Sequence, residues 1–159
     1  MFLTIVSGCS FFYEDKNKTL KLSNYLNREI ISNFSKAIKR EPDNYLFYLE
    51  RGKAKHNYGD YVGAIEDFNY SLKLNSNLKV IFLRANSKYT YGDHKGAIKD
   101  FKNLISKNIF QDKVFHNIGN SQFILLNYQK AVNNYTRSIE YDQNDENAYL
   151  NRGNAKFKL

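Results

Sequence analysis

The 159-residue chain is long enough for one domain with a sizeable core, or for about four units of a short repeat. A single proline, eight glycines and no low-complexity segment exclude a chain divided by a flexible linker, and thirteen tyrosines with twelve phenylalanines supply most of the bulky apolar volume. The net charge of +8 admits an acidic partner, but the eight Lys or Arg between Lys79 and Lys113 face three Asp and no basic run exceeds two residues, too sparse for a dedicated nucleic-acid arm.

In chain order, the first distinctive segment is MFLTIVSGCS. Val6-Ser7-Gly8-Cys9 resembles a bacterial lipobox, which implies a diacylglyceryl group on the Cys9 thiol and a tether to the envelope membrane. Each methylene buried in the bilayer would contribute about 0.8 kcal/mol to that tether. The apolar run Phe2 to Val6 is shorter than an ordinary signal core and no basic segment precedes it, a pattern that a start codon placed too late would explain. The alternative is a short apolar strip packed on the first helix of a cytoplasmic protein. Cys9 is the only cysteine, so no disulfide forms within the chain. No other stretch is apolar enough to span a membrane.

Residues 10–44 read as an irregular capping segment that ends in a regular helix. Phe34, Ala37 and Pro42 keep the spacing seen later, but Lys18 stands where a small residue is needed. The unit 45–77 follows. Tyr48, Arg51, Gly52 and Lys55 form one stripe of a helix, Tyr58-Gly59-Asp60-Tyr61 breaks it, and Ala64, Phe68 and Ser71 form the stripe of a second. The block RGKAKHNYGDYVGAIEDF then returns 33 residues later as RANSKYTYGDHKGAIKDF, with ten of eighteen positions identical. This second unit, 78–111, carries Ile81, Arg84, Ala85 and Lys88, then Gly92-Asp93, then Ala97, Phe101 and Leu104. The third, 112–145, carries Phe115, Ile118, Gly119 and Gln122, a turn at Leu126-Asn127-Tyr128, then Ala131, Tyr135 and Ser138. Residues 146–159 repeat the first-helix pattern once more with Tyr149, Arg152, Gly153 and Lys156.

The recurring small and aromatic positions resemble the tetratricopeptide repeat. That resemblance implies an all-α, right-handed superhelical solenoid of antiparallel helix pairs, acting as a non-catalytic scaffold that binds an extended segment of another protein. It also implies which side chains line the groove formed by the first helices: Leu46, Leu49, Lys53, His56 and Asn57; Lys79, Phe82, Asn86, Tyr89 and Thr90; Lys113, His116, Asn120, Phe123 and Ile124; and Asn147, Leu150, Asn154 and Phe157. Asn86, Asn120 and Asn154 recur at one position, as a ladder able to pair with a peptide main chain. Leu49, Leu83 and Asn117 stand where the subfamily that clamps chaperone carboxylates places amide or basic groups, so that specificity is not expected.

No enzyme chemistry is expected. His56, His94 and His116 form no pair at helical spacing with a carboxylate, no phosphate-binding glycine loop or nucleophile elbow is present, and no metal or other cofactor is implied. Pairs such as Glu66-Asp67 read as solvated helix faces. The other functional classes left open are self-assembly through the apolar end of the array, a fragment of a longer array, and a basic groove for an acidic polymer or nucleic acid.

Overall fold

The computed structural model describes the backbone of residues 6–159 and the side chains of residue 16 and of residues 18–159. All regular structure among the described residues is helical: α1 (Val6–Arg40), α2 (Tyr45–Tyr58), α3 (Tyr61–Leu74), α4 (Leu78–Tyr91), α5 (His94–Ile105), α6 (Gln111–Ile124), α7 (Tyr128–Tyr141) and α8 (Glu146–Phe157). Each helix packs on the one before and the one after, and the first helices also touch across units, α2 with α4 and α6 with α8. The result is the all-α solenoid of helix pairs that the repeat implies.

The segment expected to be irregular is instead one helix of 35 residues. Neither glycine nor proline occurs between Gly8 and Pro42, so nothing interrupts the backbone ladder there. Its later turns dock on α2, where the Phe34 and Phe47 rings lie 6.0 Å apart and Arg28 Nε donates to Tyr58 Oη at 2.7 Å. Farther back, Leu20, Leu22 and Tyr25 are exposed. Residues 1–5 of the leader expected at 1–9, and the Cys9 side chain on which the lipid is expected, fall outside what the structure describes. No helix among the described residues is long and apolar enough to cross a membrane.

Two turns are built alike. Gly59 and Gly92 close α2 and α4 in the left-handed conformation at φ +96° and +98°, and Asp60 and Asp93 then cap the next helices by accepting from the backbone N–H of Gly63 and Gly96, each at 2.9 Å. The third turn departs from this. Leu126 takes φ +61°, and Asn127 makes no side-chain cap bond. Because Leu126 is 71 % exposed, its side chain contributes little packing to offset a backbone strain of about 1–2 kcal/mol. Leu126→Gly is therefore expected to raise stability by about 1 kcal/mol, seen as a higher denaturation midpoint in urea.

Between the helices of a unit, an aromatic ring sits against a glycine. A Cβ on Gly52 would lie 2.8 Å from the Phe68 ring, and one on Gly119 would lie 2.6 Å from Tyr135. Ser71 and Ser138, wholly buried, tie the second helices to the start of their units by donating to the carbonyls of Tyr45 and Asp112. Phe68 belongs to one buried apolar cluster and Phe101, Leu104, Val114 and Ile118 to the next, with Leu72 packed against both.

Buried ion pairs run through this interior. Asp67 is 3 % exposed and accepts two bonds from the Arg51 guanidinium at 2.7 and 2.8 Å, with Lys55 Nζ at 3.0 Å. The next unit repeats the set with Arg84, Lys88 and Asp100 at 2.7 to 2.9 Å. Asp67 is thus not on a solvated face, as the charged dipeptide Glu66-Asp67 implied. Its position next to Phe68 turns it inward, and the hydrogen bond it accepts keeps Arg51 more basic than usual despite burial. In the third unit Ile118, Gln122 and Asn134 hold the corresponding places, so all three charges are replaced together.

Candidate functional site

The first helices α2, α4, α6 and α8 present the expected binding face. Between α4, α6, α7 and α8 is a cavity of about 130 Å³ lined by Tyr89, Asn120, Phe123, Ile124, Tyr135, Asn151 and Asn154. Five of these, Tyr89, Asn120, Phe123, Ile124 and Asn154, are groove positions expected from the repeat.

Position by position, the aromatic or imidazole ring near the end of each first helix packs edge-on against a ring at the start of the second. His56 meets Tyr61, Tyr89 meets His94 and Phe123 meets Tyr128, all with centroids 5.3 Å apart. These contacts hold one edge of each groove ring and leave the rest to shape the surface.

The asparagine ladder is oriented from within. Asn86 Oδ1 accepts from Asn117 Nδ2 at 3.1 Å. Asn120 Oδ1 accepts from the Tyr135 hydroxyl at 2.8 Å and from Asn151 Nδ2 at 3.3 Å. Both carboxamide oxygens are thus engaged, while the Nδ2 donors of Asn86 and Asn120 have no partner among the described residues. Asn117, Asn151 and Tyr135 were not expected at the site. Asn117 and Asn151 recur three residues before the ladder positions, which was the available signal, whereas Tyr135 reads from sequence as a packing residue and serves both roles. Burial raises the pKa of the Tyr135 hydroxyl far above its ordinary value, which keeps it a donor.

Two histidines couple neighbouring first helices. Ser87 Oγ donates to the Leu83 carbonyl at 3.0 Å and accepts from His56 Nδ1 at 2.8 Å, which assigns the Nδ1–H tautomer to neutral His56. Burial lowers the His56 pKa below 6.5. The unfolded chain therefore takes up a proton before the folded one does, and stability present above pH about 6.5 is lost as pH falls below it. The urea midpoint is expected to drop between pH 7 and 5.5, and the drop to shrink in His56→Gln. His116 Nδ1 pairs with Asp145 Oδ2 at 2.8 Å, at the start of α8. Burial alone would raise the Asp145 pKa, but the bonds from His116 and the Ala148 N–H outweigh it and lower the value below 3.8. Its contribution is lost only in stronger acid, outside the His56 window.

The remaining expected groove residues lie elsewhere or stand alone. Leu49 is buried in the core with Ala64, Phe68 and Val80, because its helix face turns toward α3. Phe82 packs at 5.8 Å from Phe101 and 5.2 Å from Phe110, so it fills the edge of the interior. Lys53 is paired with Glu50 at 2.7 Å, and Thr90 Oγ1 donates to the Asn86 carbonyl. Leu46, Asn57, Lys113, Asn147, Leu150 and Phe157 are exposed. Lys79 rims a separate, open crevice of about 500 Å³ between the α3–α4 turn and the α5–α6 loop. No group of three or more His, Cys, Asp or Glu among the described residues is placed to hold a metal ion.

A TPR repeat family model matches residues 119–159. Over 121 residues the chain is 25 % identical to the human protein named tetratricopeptide repeat protein 6, covering 76 % of this chain and 23 % of that one, so it spans about a quarter of that relative's length. Among solved structures, a MamA crystal structure superposes with a TM-score of 0.73 at 21 % identity, over 79 % of this chain and 74 % of the other. The fold is that of the tetratricopeptide-repeat solenoids. Two further TPR structures share the fold: YrrB, described as having an unusual peptide-binding site, at TM-score 0.65 and 19 % identity over 77 % of this chain and 63 % of its own; and the first TPR of Spaghetti bound to an HSP90 peptide, at 0.66 and 20 % over 71 % and 90 %.

Proposed function

We propose that this TPR array is a non-catalytic scaffold that holds an extended segment of another protein along α2, α4, α6 and α8. The observation that carries this reading is the pair of asparagines whose oxygens are occupied from within. Asn86 and Asn120 are left as N–H donors at fixed places, suited to the carbonyls of an extended main chain. Tyr89, Phe123 and Ile124 beside them offer apolar area for its side chains. The solved TPR proteins that bind peptides support the same mode of action.

The charge distribution weighs against an acidic polymer. Of the basic residues between Lys79 and Lys113, Arg84 and Lys88 are both drawn inward onto Asp100, which offsets one of their two charges and leaves neither side chain free on the surface for a polyanion. Removing both donors with Asn86→Ala and Asn120→Ala is expected to weaken peptide capture by about tenfold to a hundredfold, since each hydrogen bond contributes about 0.5–1.5 kcal/mol. A crosslinked pull-down comparing this double variant with the parent checks it. A partner retained equally by both would place binding on the outer face, and retention that vanishes in moderate salt without any protein partner would favour the acidic polymer.

The proposal includes a membrane tether through a lipid on Cys9, supported by the sequence Val6-Ser7-Gly8-Cys9. Palmitate labelling that disappears in Cys9→Ser is the expected result in a bacterial host. Unlabelled, freely soluble protein would remove this element and leave the groove untouched.

A further inference from the structure

The cavity between α4, α6, α7 and α8 carries no charge on any side. None of its seven lining residues is Lys, Arg, Asp, Glu or His. Burial raises the pKa of the Tyr89 and Tyr135 hydroxyls, so both phenols stay protonated. His116 stands behind the wall, its Nε2 at 3.4 Å from Asn151 Nδ2 and its Nδ1 turned to Asp145.

Yet the walls hold hydrogen-bonding capacity that no described residue uses. Asn120 Oδ1 is occupied by Tyr135 and Asn151, which leaves the two hydrogens of Asn120 Nδ2, one for a main-chain carbonyl and one for the cavity. Asn151 commits its Nδ2 to Asn120, and its Oδ1 accepts from no described residue. Neither the Asn154 carboxamide nor the Tyr89 hydroxyl has a hydrogen-bond partner among the described residues. Donors and acceptors thus border the same small space, beside apolar wall from Phe123, Ile124 and the Tyr89 ring.

At about 130 Å³ the cavity has room for one side chain, since an apolar cavity of about 150 Å³ admits a benzene ring. Whatever enters must replace the hydrogen bonds that water makes to these atoms, or strand them. An apolar side chain strands donors and acceptors alike. A carboxylate offers acceptors only and an ammonium donors only, and each brings a charge into a space without a counter-charge. A carboxamide offers both and is neutral. We propose that the cavity selects a glutamine side chain of the bound segment, its oxygen accepting from Asn120 Nδ2 and its nitrogen donating to Asn151 Oδ1 or the Tyr89 hydroxyl. The methylenes of the stem lie against Phe123 and Ile124. This deepens the groove reading and rests on it for the side from which the glutamine arrives.

The probes are the N-acetyl, N-methylamide derivatives of glutamine, glutamate and norleucine. Each is titrated at neutral pH into the isotope-labelled full chain while the side-chain amide signals of Asn120, Asn151 and Asn154 are followed by NMR. Saturable shifts are expected with glutamine, and affinity lower by about tenfold or more for glutamate and for norleucine. Asn154→Lys sets a cation at the rim, on an exposed helical position where Lys is the better helix former, so the fold should stay intact by circular dichroism. It should reverse the preference, with glutamate binding more tightly than glutamine. Equal affinity for glutamine and glutamate in the parent chain, norleucine binding as tightly as glutamine, or no saturable shift at tens of millimolar probe would each overturn the proposal, even if a pull-down partner depends on Asn86 and Asn120. A glutamine preference beside a partner that ignores those two asparagines would support the carboxamide site and remove the groove reading alone.

Discussion

Asp67→Ala is expected to cost about 3–5 kcal/mol, enough to unfold much of the array near room temperature, because it strands Arg51 and Lys55 as cations with little access to water. The instructive comparison is the triple variant Arg51→Ile, Lys55→Gln, Asp67→Asn. It installs the neutral set that the third unit already uses as Ile118, Gln122 and Asn134. Removing the whole network avoids an orphaned charge, so this variant should lie within about 1.5 kcal/mol of the parent. Urea denaturation followed by circular dichroism measures both. A triple variant as unstable as Asp67→Ala would show that the ion pairs contribute large net stability, contrary to the desolvation argument.

The second large effect is expected at Tyr135, where the packed interior meets the proposed binding face. Tyr135→Ala removes a 2 % exposed ring from between α6 and α7 and should destabilise by about 3–5 kcal/mol. Tyr135→Phe keeps the ring against Gly119 and removes only the hydroxyl donor to Asn120, an expected cost of about 0.5–1.5 kcal/mol. Its larger consequence is functional. With that donor gone, the Asn120 amide is held only by the 3.3 Å bond from Asn151 and is free to rotate, so peptide affinity should fall although no groove contact has been deleted. Affinity unchanged in a well-folded Tyr135→Phe would mean that Asn120 orientation does not matter for binding.

Local chemistry explains what could be seen in advance. Gly59 with Asp60 and Gly92 with Asp93 announce their turns because a left-handed glycine followed by a helix cap needs no distant partner. The spacing of Gly52, Ala64 and Phe68 is visible for a similar reason, since helical periodicity puts small and large residues on facing stripes. Asp67 was misplaced on the surface because its partners lie 12 and 16 residues away on another helix, and only the pairing of the two helices brings them to it. Leu49 was placed in the groove by its position in the repeat. The adjoining helix α3 turns that position into core in the first unit.

The sequence by itself determined the repeat length, the helix pairs, the turns and the stripe of first-helix residues from which the proposed binding face is made, since these follow from periodicity and from residues acting on their own neighbours. The tertiary structure decided the direction of the Asn86 and Asn120 amides and the burial of Asp67 and Asp100. Each of these depends on which atom of one helix faces which atom of the next. A carboxamide offers an acceptor or a donor according to the partner that holds its other end, and that partner is known only when the helices are packed.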